Sequence, residues 1–589
     1  MNLSKWTAAG LALVLLAGGA MAPAQTPENE KLAGFFKSYL DDYFHQRPIE
    51  ATRLGDHRFD GRLDDVSPSA RAGWLAFTRR TLEELPRRVD YAKLSRDGQI
   101  DFEIFRHELQ KSIWLAENTH PYEEDPRIYG DCINDGVYLP LTKSTLPKET
   151  NIANCIACMA GIPRILTAAR TTLTHPPKPV LETAIRQNRG SISFFEKDVL
   201  ELAGESPQLG QLKAAAAPVV AQLKEYQKFL EGELSARATG DWRLGRKKFD
   251  RKFEWETDAG ITAEQNLAEA EQELDRVRRD MYVIARQLWC QYYPKKQLPP
   301  DDPPGRRDTV VKVIEGVNQE HGRPEDLVAD ARATVGRIKQ FITEHNYLRL
   351  PDPDLCRVIE MPEFRRGNSV AYLDNAPPLD PDAPSYYAIS PPPADWTPAQ
   401  VNSLLEEYNR HMLQVLTIHE AYPGHYVQLT CANRNPSLIR RVFQPDPFVE
   451  GWAVYGEITM LNEGYGNGDL RLRLMQLKFY MRAVANSILD YRMHCTPITD
   501  DEAMKFLVED AFQSEGEAKL KLIRAKQSSI QLSTYFVGRM AHYRLRQQIE
   551  RELGDRFDLA RYHEAVISSG SIPVKYLPEL VRRQLGLPK

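Results

Sequence analysis

Apolar residues recur at three- and four-residue spacing over long stretches of the chain, the pattern of helices with one buried face. Two stretches open on a capping box, Thr262-Ala-Glu-Gln265 and Thr397-Pro-Ala-Gln400, in which the Thr oxygen and the Gln side chain satisfy orphan backbone donors reciprocally. From Thr262 the stripe runs through Leu267, Ala270, Leu274, Val277, Met281 and Ile284, and it predicts a core-packing helix of about seven turns. Proline-rich breaks fall at residues 175–179, 293–308 and 375–398, and no fixed-period repeat lies between them, which disfavours solenoids and propellers. Within the third break, residues 385–390 have β-favouring composition and stop at Pro391, so a short edge strand is expected there. The predicted fold is mainly α, with an N-terminal helical region (25–300) and a C-terminal helical region (301–589) integrated into one body.

One segment, residues 7–22, is apolar enough for membrane contact. It is shorter than the roughly 20 apolar residues a spanning helix needs, follows Lys5 and ends in Ala22-Pro-Ala24, so it reads as a secretory signal cleaved near Ala22 or Ala24. No cysteine directly follows the apolar run, which argues against a lipid anchor on a cleaved N-terminal cysteine. A periplasmic or secreted protein is expected, with no stable membrane insertion after cleavage.

Composition narrows the function classes. The 76 Lys and Arg residues face 81 Asp and Glu, a net charge of -5, so no basic field holds the chain on nucleic acid. Seven cysteines cannot staple 589 residues, and a packed core must hold the fold. Cys155 and Cys158 have redox spacing without a thioredoxin-like context, and they are read as small buried residues of a helix. G-x-S-x-G, phosphate-loop and dinucleotide-loop motifs are missing.

The informative segment is Ile418-His-Glu-Ala-Tyr-Pro-Gly-His-Tyr-Val-Gln428. Neutral imidazoles bind a catalytic metal, and a carboxylate beside them can deprotonate water. In H-E-x-x-H the histidines are about 40° apart on the helix. His419 and His425 are six positions apart, which on an unbroken helix means about 240° of rotation and about 9 Å of rise. The Pro423-Gly424 pair changes this, because proline removes a helical hydrogen bond and glycine can take a positive φ; a local break can bring His425 beside His419. A second block, Asp446-Pro-Phe-Val-Glu-Gly-Trp-Ala-Val-Tyr-Gly-Glu457, puts Glu450 in the first turn of a helix, able to fold back as a third ligand. Glu457 lies on nearly the same face, either orienting a ligand histidine or as a solvated carboxylate.

The pattern H-E-x-x-P-G-H-x-x-Q, His419 to Gln428, followed by E-G-W-A-x-Y-x-E, Glu450 to Glu457, resembles the bacterial family catalogued as domain of unknown function 885. The second block also resembles the third-ligand helix of gluzincin aminopeptidases, which implies a zinc-ligand role for Glu450. The resemblance implies a large helical zinc-peptidase-like fold, with a helical wall over a deep cleft and a small β edge near the active site. It also marks Arg482, Asp490 and His494, and a Tyr-x-x-Gly segment at Tyr535.

The function expected is therefore an exported zinc-dependent peptidase of carboxypeptidase or oligopeptidase type. Zn2+ is held by His419, His425 and Glu450, with Glu420 as general base and a peptide as substrate. His494, kept protonated by Asp490, or Tyr535 is expected to donate to the oxyanion; a surface ion pair and a packed core tyrosine are their structural alternatives. Gln428 is a further candidate around the site, Arg492 or Arg539 would hold a terminal carboxylate, and the 385–390 strand would pair with extended substrate. Two rivals stand beside this reading: an exported helical binding protein whose metal site is structural or degenerate, and a glycosidase using Glu450 and Glu457 with Trp452 as a sugar platform. The oligomeric state is left open.

Overall fold

A computed structural model describes residues 26–361, 371–393 and 396–588, and the signal segment lies outside the described residues. The body is mainly α, with one three-stranded sheet among the described residues. The helices used below are α1 (Ala263–Tyr292), α2 (Arg410–Glu420), α3 (His425–Asn433), α4 (Asp446–Asn462), α5 (Leu470–Cys495), α6 (Glu515–Gln527) and α7 (Gln531–Leu553). The strands are β1 (Cys356–Glu360), β2 (Ala371–Asp374) and β3 (Ser385–Ile389).

Local chemistry sets these elements. Thr262 accepts from the Gln265 amide while Gln265 accepts from the Thr262 amide, and the same reciprocal box starts the Pro398–Glu407 helix at Thr397. The α1 stripe Ala270, Leu274, Val277 and Met281 is buried and packs on α5, which is buried around almost its whole circumference. Fully burying one such Leu or Val stabilises by roughly 1.5–3 kcal/mol relative to exposure. A helix buried on nearly every side lies at the centre of a large fold, and α5 sits there.

The residue-300 boundary does not separate cores. One core joins the N-terminal helices Pro27–Gln46 and Arg96–Asn118 to α1, α2, α4, α5 and α7. A second core is built from residues between Ile49 and Leu234 and includes Cys155 and Cys158 on the Lys148–Thr172 helix. All seven cysteines are free, and Cys155 and Cys158 donate to the carbonyls of Val137 and Asp60. The Lys148–Thr172 helix is long and apolar enough to cross a membrane, yet its apolar residues pack within this second core.

The sheet corrects the strand expectation. β3 is the central strand, parallel to β1 and antiparallel to β2, so the 385–390 segment offers no free edge. Its alternation is legible locally, but both partners come from separate segments upstream. Tyr387 on β3 shares a 3.0 Å hydrogen bond with Thr417 on α2, which fixes the sheet beside the last turn of that helix.

Two buried histidines behind α4 have a pH consequence. His563 meets the Tyr455 hydroxyl at 2.8 Å and the Tyr347 carbonyl at 3.0 Å, and His542 meets the Phe448 carbonyl at 3.2 Å. Burial pushes His563 down to about 3 and His542 down to about 4. Between those values and the unfolded pKa near 6.5 the unfolded chain binds more protons, so stability rises with pH through that window. Lowering the pH from 7 to 5 is expected to cost about 2 kcal/mol per histidine. Melting curves over this range should fall, and His542→Gln should flatten the slope.

Candidate metal centre

The two histidines meet because the helix breaks between them. α2 ends at Glu420 and α3 begins at His425. Pro423 has no N–H to donate, and the Tyr422–Pro423 peptide is cis. The Tyr422 amide reaches the Thr417 carbonyl at 3.3 Å, and the Gly424 amide reaches the Ile418 carbonyl at 3.0 Å, both longer loops than the helical i to i-4 ring. Gly424 is required for a reason other than the one expected. Its φ is -67°, available to any residue, but a Cβ there would lie 1.9 Å from the His419 carbonyl oxygen. The chain turns back on itself by backbone contact, and the imidazole rings come to 4.7 Å between centroids.

Glu450, in the first turns of α4, closes the group. Its Oε2 lies 3.6 Å from His419 Nε2 and 3.4 Å from His425 Nε2. Ligands about 2 Å from a common centre at tetrahedral angles stand roughly 3.3 Å apart, so these three atoms can share one ion. Glu450 Oε2 is buried and accepts no hydrogen bond of normal geometry, and the two imidazoles are its positive partners. Among the described residues this is the one group of three metal-capable side chains so gathered.

Neighbours fix the ring orientations. Glu457 Oε1 meets His419 Nδ1 at 2.7 Å, which places the proton on Nδ1 and leaves Nε2 facing the cluster. Glu457 is fully buried, so the solvated-carboxylate alternative falls. Burial alone would push His419 down, but its contacts with the Glu450 and Glu457 carboxylates carry it up to about 10. Burial raises Glu450, and the two imidazoles outweigh it and hold that carboxyl below its ordinary range. The Trp452 indole donates to the Pro423 carbonyl at 2.8 Å, tying α4 to the break. Trp452 is fully buried and cannot serve as a sugar platform, which removes the glycosidase reading.

Glu420 is the last residue of α2. Its Oε2 accepts from the Leu373 amide at 3.0 Å, on the side of β2 turned away from β3. The strand beside the cluster is thus β2, a segment too short to stand out in the sequence. Tyr535, on α7, accepts from Arg524 and Gln531 at 3.4 Å. Burial, then the Glu450 carboxylate, pushes its phenol up to about 12. It remains a proton donor near the cluster.

The other expected residues lie elsewhere. His494 is buried between Trp242 and Phe249, its Nε2 donates to the Ser528 carbonyl at 3.0 Å, and burial pushes it down to about 4. It is neutral, not the cationic oxyanion donor expected. Asp490 spends its oxygens on the Ile530 amide and the Ser533 hydroxyl and stays 4.0 Å from His494, while burial raises it to about 7. Gln428 is fully buried and donates to Ser571, so it does not face a substrate. Arg492 pairs with Glu271, and Arg539 is buried between Tyr480 and Tyr543 with Glu273 at 3.3 Å; neither is placed to hold a terminal carboxylate.

Two glycines not singled out by sequence reasoning set the α4–α7 contact. A Cβ on Gly538 would lie 1.7 Å from the Pro447 carbonyl oxygen, and one on Gly451 would lie 2.3 Å from the Gly538 carbonyl carbon. Backbones touch here, which is what brings Tyr535 toward Glu450. Both glycines occur inside the motif blocks, and that is the signal that could have found them.

Fold and cluster together define a large, mainly helical protein with a two-His, one-Glu group at a helix break. The chain belongs to the bacterial protein family of unknown function DUF885, whose model matches residues 48–581. It is similar to a solved structure of a candidate lipoprotein of unknown function from Shewanella oneidensis, at 30% identity and TM-score 0.79 over 93% of this chain and 98% of the other. A candidate lipoprotein from Colwellia psychrerythraea shares the fold at 18% identity and TM-score 0.78, over 95% and 99% of the two chains. No curated protein matches the chain significantly.

The glycine contact is open to test. Gly538→Ala is expected to force α4 and α7 apart and destabilise by about 1–3 kcal/mol, the usual cost of overpacking. Gly516→Ala on the exposed face of α6, where a Cβ meets nothing within 4 Å, is expected to raise stability by about 0.5–1 kcal/mol. Chemical denaturation of the two variants in parallel distinguishes a packing constraint from a general intolerance of alanine.

Proposed function

We propose that the protein is an exported zinc-dependent peptidase. The observation that carries this reading is the approach of His419 Nε2, His425 Nε2 and Glu450 Oε2 to within 4.8 Å of one another, with Glu420, the residue after His419, bonded to the β2 backbone. A zinc ion held by those three side chains supplies Lewis acidity toward a carbonyl and toward water. Glu420 accepts the proton of the attacking water and returns it to the leaving amine, the role of a positioned carboxylate at hydrogen-bond range. The Tyr535 phenol, protonated at neutral pH, donates to the oxygen on which negative charge develops. An extended peptide lies along the β2 edge, where backbone groups bind without regard to sequence.

Export rests on the 7–22 segment and on the description of similar proteins as candidate lipoproteins. With Arg492 and Arg539 committed to glutamates, the reading carries no preference for chain ends.

Metal analysis and a mixed-peptide digest of wild type and Glu420→Gln test the proposal. The expected result is about one zinc per chain in both proteins, with cleavage in the variant slowed by roughly 10²–10⁴-fold. Cleavage unchanged in the variant, or surviving complete removal of zinc, overturns the reading. Glu457→Gln is expected to weaken zinc binding by about 10–100-fold in chelator competition, because it frees the His419 ring to turn.

A further inference from the structure

A cleft of about 420 Å³ lies on a different flank of α4 from the metal group, between α1, α4, α5 and α7. None of His419, His425 or Glu450 lines it. Ile458, the residue after Glu457, forms part of its wall, so one helix presents the buried glutamate to one space and its next side chain to the other. It adjoins a second space of about 330 Å³ that shares Ile458, Asn462, Arg539 and Tyr543.

The polar groups of this cleft are unevenly matched. Arg276 and Arg539 both turn to Glu273, and Arg276 also reaches Asp280 at 2.5 Å. Arg473 donates to the Asn462 side-chain oxygen at 2.9 Å, and among the described residues no carboxylate lies within ion-pair distance of it. Three guanidinium groups (Arg276, Arg473, Arg539) against two carboxylates (Glu273, Asp280) leave one positive charge. Gln476, a fully buried side chain in the wall, has neither its amide nitrogen nor its oxygen partnered, and Arg539 Nε is buried and unpartnered too. A buried polar group left unpaired costs about 1–3 kcal/mol, and a native fold keeps such groups where something else satisfies them.

We propose that this cleft is a binding site for a small carboxylate that carries a neighbouring hydroxyl or amino donor. The carboxylate meets the Arg473 fork and the Gln476 amide N–H, and the neighbouring donor meets the Gln476 carbonyl. Guanidinium matches a planar carboxylate with two parallel hydrogen bonds. The single uncompensated charge suits a monoanion better than a phosphate dianion, which would also face Asp280. The volume is that of a small-molecule pocket, not of a macromolecular interface. The inference stands independently of the peptidase reading, since no residue of the metal group takes part.

Calorimetric titration of L-lactate, propionate and inorganic phosphate into the full mature chain tests it. Lactate is expected to saturate one site with a dissociation constant of about 1 mM or tighter. Propionate, which lacks the donor, is expected to bind about tenfold more weakly, and phosphate more weakly still. Arg473→Met and Gln476→Glu should each abolish lactate binding, the second by repulsion within an unchanged shape, while Arg473→Lys keeps the charge but loses the two-pronged geometry and should weaken binding about tenfold without abolishing it. Melting temperature and zinc content of each variant report whether the fold is intact. No saturation in wild type below about 10 mM, unchanged affinity in a folded Arg473→Met, or phosphate binding as tightly as lactate overturns the proposal.

Discussion

The arrangement of the metal group depends on one backbone contact, the approach of Gly424 to the His419 carbonyl. A continuous helix would turn His425 about 240° away from His419. Here Pro423 withdraws a donor, the Gly424 amide closes a longer loop onto Ile418, and the absence of a Cβ lets the turn collapse against α2. The same contact leaves Glu420 as the last residue of α2, directed at β2 and not into the helix bundle. One local deviation therefore sets both candidate ligand histidines and the direction of the Glu420 carboxylate.

α4 holds that deviation in place from the other side. Within eight consecutive residues it supplies Glu450 to both Nε2 atoms, Trp452 to the Pro423 carbonyl and Glu457 to His419 Nδ1. Buried carboxylates are costly unless hydrogen-bonded or paired, and here each one finds an imidazole. The helix can approach closely enough to do this because Gly451 and Gly538 let α4 and α7 touch through their backbones. Ridge-to-groove packing with larger side chains would hold the axes at about 8–10 Å and move Tyr535 away from Glu450.

Local spacing made much of this legible. The capped α1 stripe, the helix break at Pro423-Gly424 and the return of Glu450 are all set by residues close in sequence, and so is the shared face of Glu450 and Glu457. What was misread depends on partners far along the chain. β3 looked like an edge because β1 and β2 lie in other segments and are short. Asp490 and His494 share a helix face as their spacing says, but Asp490 is taken by Ile530 and Ser533 of the neighbouring segment, and aromatic packing strips His494 of its charge. Arg539 looked available until α1 supplied Glu273. Gly424 was expected to matter for the sign of φ, and matters instead for the space it leaves.

The charge balance of the cluster gives the remaining argument. Glu457 is fully buried and the Glu450 side chain is 20% exposed beside two imidazoles, with Glu420 following His419 at the end of α2. Left to protons alone, the group holds positive charge on His419, pushed up to about 10, to balance the carboxylates around it. An imidazole protonated on both nitrogens has no lone pair for a metal. A divalent cation bound there, as proposed, would serve the same electrostatic need while releasing that proton, and Glu457 on Nδ1 would keep the remaining proton where it does not compete. The Nε2 atoms of His419 and His425 converge on Glu450 Oε2, and that convergence is the geometry on which the proposed ion rests.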